Sequence, residues 1–524
     1  MFSKKSFFKK NKSFIIFIIF LICLLFTRFY GLNWGNSFFF HPDENRDAVA
    51  LSQMNLKNLN PDFYAYGQFP LLLSFFSFQF GNFLINHSFI TNLSFEQSIY
   101  ILRFWSAIFS CLSIWFLYLI SKNIFNKKSS QLIFIILLIF NPGLIQFAHF
   151  GTNESILIFV FIVNIFFSFK IVKNCKPFYI ITAAIISGIG IASKISAIIL
   201  LGPVFLSFLF NFISSKKIKF FLINCFLFCA LTLTFSLLFS PQYLIKKTEF
   251  LYSLNYELSV STGKNKVYYT NQFLNSIPYF FQIKNIFPYT SGVFVFIFSG
   301  LGFFYFLKNK KYKNIFWLLI LIPSLVYFLY NGQLYTKWTR YMVPIFFIFP
   351  FLATYFISQF KTKYIIFILV LLSIIPGIYF CRRYFLVDNR PIASVWLINQ
   401  IPSTSSILSE SGNVMNLPVY SSNLQINNFD FYNLDSNPNL PSQLTTQISK
   451  SEYIIIPSRR MFKNQNNSTF PFSQKYYQSL FSGQLGFTQI RQFNYHLSLF
   501  LNDENAEETW SVFDNPTIRI YKKD

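Results

Sequence analysis

Long apolar runs separated by short basic clusters set the first limit on what this 524-residue chain can fold into. A helix needs roughly 18 or more nearly uncharged residues to cross a bilayer. Eleven windows approach or meet that length, at about 14–30, 98–120, 131–148, 154–172, 178–192, 195–213, 219–240, 290–308, 314–331, 341–359 and 363–381. Basic residues fall at every second boundary: the N-terminal lysines, "SKNIFNKK" (121–128), "KIVKNCK" (170–176), "SSKKIK" (214–219), "KNKKYK" (308–313) and "QFKTK" (359–363). Positive charge stays on the cytoplasmic side of a membrane. The alternation therefore puts the N-terminus in the cytoplasm, and an odd number of spans puts the tail outside. The chain is 53% hydrophobic and 12% charged, against about 25% charged in a soluble domain. A multi-pass α-helical protein of the cell membrane is expected. The net charge of +25 would suit nucleic acid, but topology already accounts for the basic clusters, so no nucleic-acid partner is expected.

The basic start followed by an apolar run, with no small-residue cleavage site before "RFYGLNWGN", reads as a retained signal anchor. The six cysteines lie in or beside apolar runs, without metal-site spacing or paired positions in the outer loops. Two domains are expected, a transmembrane catalytic domain over 1–384 and a small extracytoplasmic α/β domain over 385–524. The first has two long outer loops, 31–97 and 241–289. Within the first loop, 67–84 is apolar enough to enter the membrane. As a twelfth span it would invert all later loops and put their lysines outside, so a re-entrant or interfacial helix fits better. In the tail, "PIASVWLINQ" (391–400) predicts an amphipathic helix opened by Pro391. Strands are predicted over 405–411, 452–459, 486–493 and 516–523.

The stretch "FFFHPDENRDA" (38–48) follows the first span and holds three of the chain's 19 carboxylates. Pro42 forces a turn there. The side chains of the adjacent Asp43 and Glu44 cannot point the same way. One can face a cavity while its neighbour binds a cation or a loop amide. One carboxylate at an outer membrane cavity suits sugar transfer from a lipid-linked phosphate. A phosphate ester leaves as an anion, so the general acid of a glycosidase is dispensable. A base for the acceptor hydroxyl and positive charge for the departing phosphate remain necessary.

"RFYGLNWGNSFFFHPDENRDA" (28–48) resembles the first outer loop of GT-C membrane glycosyltransferases of the protein O-mannosyltransferase type, to which the lipid A aminoarabinose transferases are related. The order continues with "ILRFWSAIFSCL" (101–112), "HFGTNESILIFVF" (149–161), "ASKISAIIL" (192–200), "YTKWTRYMVPIFFIFPFL" (335–352), "RPIASVWLINQIPSTSSILSES" (390–411) and "ETWSVFDNPTIRIYKKD" (508–524). The resemblance implies Asp43 as catalytic base with Glu44 as its partner. Glu154 stands where the family often has an Asp, one methylene longer. The implied activity is transfer of a sugar from a polyprenyl-phosphate donor to a protein, lipid or glycan hydroxyl.

Arg340, Lys194 and Lys337 sit at outer helix ends, against the usual bias of positive charge, and Arg103 lies inside a span, where a charge costs roughly 2.5–3.5 kcal/mol. Arg340 is the first choice for the donor phosphate, because a planar fork suits phosphate oxygens. Lys194, Lys337 and Arg103 are further candidates, and Arg103 equally suits a salt bridge to a first-loop acid. Glu154 is a supporting acid, or a helix N-terminal charge. The sequence names no definite cofactor and leaves a divalent metal as the alternative. A divalent metal would have only His41 and His149 to add to the acids, and the mannosyltransferase branch does not imply one. The rival readings are a lipid-linked-sugar flippase or transporter, which would need charges at the bilayer midplane, and an O-antigen polymerase- or ligase-like enzyme.

Overall fold

The computed structural model describes residues 4–524 except 91, 412–415, 420–423 and 467, with side chains from residue 14 onward. The N-terminal lysines of the topology argument lie outside the described side chains. Each of the eleven apolar windows is helical. The first eight helices are α1 (Lys4–Phe29), α2 (Pro42–Gln53), α3 (Phe69–Asn86), α4 (Phe95–Ile124), α5 (Lys128–Ile139), α6 (Pro142–His149), α7 (Glu154–Lys173) and α8 (Pro177–Ser193). Among the described residues, seven helices are long and apolar enough to cross a membrane, or nine if each of two bent pairs is one span. Phe14–Phe29 of α1, α8 and Val293–Lys308 are shorter apolar helices by the same measure.

The window predicted at 131–148 is one of the bent pairs. Its axis turns by 49° between α5 and α6. Asn141 accepts a hydrogen bond from the Leu144 amide and Pro142 opens α6, so a new helix start is built into the span. The window at 341–359 bends by 48° between Thr339–Ile345 and Ile348–Ile357, where Pro344 removes a backbone donor. α7 is apolar all round and buried along most of its length, as befits the central helix of a bundle.

Side-chain contacts sort the helix ends into two groups. Lys173 Nζ donates to Asn123 Oδ1 at 2.6 Å and lies over the Phe316 ring, and Asn309 bonds Gln359. These residues sit in or beside the basic clusters. At the opposite helix ends stand Glu44, Arg103, Glu154, Lys194 and Arg340, joined by ion pairs and shared walls. The basic clusters so joined lie at helix ends opposite those that carry the paired acids.

The segment expected to be re-entrant forms α3, one of the seven helices that qualify by length and composition. Both of its ends are tied to the acid-bearing end of the bundle. Before it, the Gly67 amide donates to the Ser193 carbonyl at 3.0 Å. After it, the Asn92 amide group donates to the carbonyls of Ser52 and Met54 at the end of α2.

Among the described residues of the tail, five strands form one sheet: β1 (Ser406–Glu410), β2 (Gln425–Phe429), β3 (Tyr453–Ile456), β4 (Phe487–Phe493) and β5 (Ile518–Lys523), in the order β2-β1-β3-β5-β4. β1 runs parallel to β2 and β3, and β5 runs antiparallel to β3 and β4. Four of these strands fall in the predicted segments. β2, "QINNF", was not expected, because a polar edge strand carries no alternation to read. The helix predicted to open at Pro391 opens at Asn389. Asp388 caps it by accepting from the Arg390 amide, so Pro391 occupies a later position of the first turn, where a missing N–H costs nothing.

A strap over residues 503–515 ties the sheet region to the bundle. Glu507 Oε2 accepts from the Thr339 amide at 3.0 Å, and Gln146 Nε2 donates to the carbonyls of Thr509 and Trp510. Beneath it, Arg383 and Arg390 share Asp388, and Arg383 also binds Asp514. All four side chains are buried. This neutralised cluster holds the strap over the Asp43 end of the bundle.

Candidate active site

α2 begins where the sequence predicts a turn. His41 is its N-cap, with Nδ1 accepting from the Glu44 amide at 3.3 Å, and Pro42 follows. Asp43 and Glu44 then leave the first turn in different directions. Glu44 is fully buried and meets Arg103 of α4 in a fork, with Nε to Oε1 at 3.1 Å and Nη2 to Oε2 at 2.7 Å. The remaining Arg103 nitrogen donates to the carbonyls of Leu32 and Trp34. Glu44 Oε1 also accepts the Gly151 amide. A Cβ on Gly151 would sit 2.8 Å from the Leu102 Cβ, so only glycine lets this loop approach α4 closely enough. Arg103 faces inward and does not line the cavity described next.

Asp43 points the other way and pairs with Arg340. The two stand at the border of two cavities. The first, of about 210 Å³, is lined by His41, Asp43, Glu154, Trp338 and Arg340, and by residues of the strap and sheet region. The second, of about 140 Å³, is more apolar and is lined by Lys194, Arg340, Tyr243, Leu258, Tyr327 and Leu334. Tyr66, Glu257, Arg340 and Tyr341 belong to both. Arg340 Nε has no hydrogen-bond partner among the described residues. Glu154 opens α7 and pairs with Lys194 at 3.5 Å, and Lys194 Nζ lies over the Tyr66 ring at 5.0 Å.

The electrostatics separate the acids of α2. Burial would raise the Asp43 carboxyl, but the Arg340 guanidinium outweighs it and holds the group down to about 2. One turn on, Asp47 is pushed well above the usual carboxylate range by burial and by the charges of Asp43 and Glu154. Asp47 lines neither cavity. Burial also lowers His41.

Of the sequence-derived candidates, Asp43, Glu154, Arg340 and His41 line the first cavity, and Lys194 lines the second. Lys337 is buried with Nζ donating to the Tyr335 carbonyl at 3.0 Å and lines neither cavity. His149 is held away from His41's cavity, its ring nitrogens 2.9 Å and 2.8 Å from the carbonyls of Ile145 and Tyr30. Among the described residues no three His, Cys, Asp or Glu side chains are grouped to hold a metal ion. Sequence reasoning missed Tyr66, Glu257, Tyr268, Tyr269, Arg460 and Glu508, all of which line the first cavity. The only signal among them was "ETWSVFDN" (508–515), singled out for its resemblance and not for its chemistry.

Residues 83–241 match the sequence profile of the family described as dolichyl-phosphate-mannose-protein mannosyltransferase. The match bears out the resemblance to GT-C membrane glycosyltransferases, and it covers Arg103, His149, Glu154 and Lys194. No curated protein sequence matches the chain. Among solved structures, ArnT from Cupriavidus metallidurans bound to undecaprenyl phosphate superposes with a TM-score of 0.48 at 10% identity, over 85% of this chain and 92% of that one. The apo state of the same protein gives 0.45 at 10% identity, over 86% and 93%.

Proposed function

We propose that the chain is a membrane glycosyltransferase of the GT-C class, and that it moves a sugar from a polyprenyl-phosphate donor to an acceptor hydroxyl at the outer face of the cell membrane. The observation that carries this reading is the Asp43–Arg340 pair at the border of two cavities. The apolar cavity takes the donor at its phosphate. Lys194 and Arg340 supply the positive charge there, and Leu258, Leu334 and the tyrosines suit the first isoprenes. The first cavity, which holds Asp43, takes the acceptor.

The chemistry follows from this division. The donor phosphate draws Arg340 to itself, since a guanidinium fork binds phosphate oxygens in pairs. Asp43 then loses the charge that held its proton affinity down. The acceptor oxygen attacks the anomeric carbon from the face opposite the phosphate, and its proton passes to the Asp43 carboxylate. The anomeric carbon–oxygen bond breaks with its electrons going to the phosphate, which Arg340 and Lys194 stabilise. A single displacement inverts the anomeric configuration. Glu44 and Arg103 position α2, and with it Asp43, without touching substrate. The lysine alternation orients the protein with its N-terminus in the cytoplasm and the sheet region outside.

The purified protein incubated with a panel of undecaprenyl-phosphate-linked sugars tests this. Mass spectrometry should find one or a few donors converted to undecaprenyl phosphate, with NMR showing the opposite anomer in the product. A protein that leaves the whole panel intact in the presence of membrane and periplasmic extracts as acceptor source refutes the proposal.

A further inference from the structure

The first cavity has a second polar wall that the transfer chemistry does not use. Arg460 and Glu508, from the sheet region and its strap, line it opposite the bundle. Both are buried, Arg460 to 3% exposure and Glu508 fully. They approach to 3.4 Å between Nε and Oε2. Yet Arg460 Nε and Nη1 and Glu508 Oε1 have no hydrogen-bond partner among the described residues. Buried charged groups are ordinarily bonded to capacity, so this wall offers donors and an acceptor to an occupant. Beside it stand the rings of Tyr268, Tyr269 and Trp338.

We propose that Arg460, Glu508 and the Tyr268–Tyr269–Trp338 wall form a carbohydrate subsite, and that the acceptor is therefore a glycan whose terminal sugar sits there with a hydroxyl turned to Asp43. This rests on the transferase reading above. A sugar ring presents adjacent hydroxyls that both donate and accept, which matches an arginine next to a carboxylate. Its C–H face matches aromatic rings. A peptide acceptor would expose a row of backbone amides and carbonyls, which calls for a strand edge or an extended groove. Among the described residues no strand lines this cavity, and its 210 Å³ suits one ring better than an extended chain.

The test is binding of methyl α-glycosides of glucose, mannose and galactose to the detergent-solubilised full chain, read by saturation-transfer NMR without any donor. At least one glycoside should bind. Glu508→Gln and Arg460→Gln should each weaken it about tenfold or more, the loss of one charge-assisted hydrogen bond. Tyr268 is half exposed, so Tyr268→Ala should keep the fold and still weaken binding. Added undecaprenyl phosphate should leave the glycoside bound. Three results overturn the subsite: no glycoside binding, unchanged affinity in a folded Tyr268→Ala or Glu508→Gln protein, or binding of Ser/Thr peptides in place of glycosides. Displacement by an undecaprenyl-phosphate hexose, but not by undecaprenyl phosphate, would assign the subsite to the donor sugar and overturn the acceptor assignment. The glycoside arms contain no donor, and the hexose arm uses the Asp43→Asn protein, so these outcomes are read separately from failure of the transferase proposal itself.

Discussion

Replacing Arg103 by Met should destabilise the protein strongly while leaving its grip on the donor intact. Arg103 makes four hydrogen bonds, two to Glu44 and two to the carbonyls of Leu32 and Trp34. Neither member of the pair is exposed. Met fills much of the same volume but leaves the Glu44 carboxylate with the Gly151 amide alone. Breaking a buried pair by removing one partner costs roughly 3–5 kcal/mol. The double variant Glu44→Leu/Arg103→Met removes both charges and should recover much of that loss, since an apolar replacement of a buried pair is often close to neutral. Denaturant titration in micelles reads the stabilities, and a double-mutant cycle gives the coupling. Donor KM is measured at a temperature where each variant stays folded, and there it should match the parent. The reasoning fails if Arg103→Met unfolds at the parental midpoint yet raises donor KM tenfold, because Arg103 would then be a phosphate ligand and not a brace for α2.

Two further outcomes follow from local geometry. A Cβ on Gly67 would stand 1.9 Å from the Ala192 carbonyl oxygen and 2.5 Å from the Tyr243 hydroxyl, so Gly67→Ala should push the Tyr66 loop off α8 and cost on the order of 1–3 kcal/mol; a parental thermal midpoint and parental activity would contradict this. The Asp43 carboxyl is held at about 2 in the folded protein, below its ordinary value of about 3.9. A depressed carboxylate contributes stability above its unfolded value and loses it as pH falls through the folded one. In an Asp47→Asn background, which removes the neighbouring carboxyl that the Asp43 charge raises, the gap in thermal midpoint between that protein and one also carrying Asp43→Asn should therefore stay constant from pH 7 to about 5 and narrow below about 4; a gap that does not narrow below about 4 would contradict this.

The helices were legible from apolar runs repeated along the chain, and lysine parity marked the opposite helix ends, where Glu44, Arg103, Glu154, Lys194 and Arg340 pair. The first turn of α2 was legible too. Pro42 announces it, and two adjacent acids must part, one to a cavity and one to an arginine. The sequence could name both acids but not show which way each turned, since that depends on Arg103, 59 positions away, and on the Gly151 loop. The far wall of the cavity was hidden for a related reason. Tyr268, Arg460 and Glu508 lie in segments with no local mark of function and converge only when the 503–515 strap docks on Thr339 and Gln146. Lys337 read as a cation at an outer helix end, yet its short loop folds its amine back onto Tyr335. Long-range closure, not propensity, decides each of these positions.

The most direct measurement pairs sugar transfer with donor binding in Asp43→Asn. Asparagine keeps the shape, cannot accept the proton and cannot pair as an ion with Arg340. Transfer from the active undecaprenyl-phosphate donor should fall by about 10²–10⁴-fold, the usual contribution of a general base. Binding of undecaprenyl phosphate should stay equal or tighten, because Arg340 is no longer held by Asp43. A variant that transfers sugar at the parental rate, or one that loses donor binding in step with activity, would contradict an account in which Asp43 is the base and Arg340 the phosphate grip.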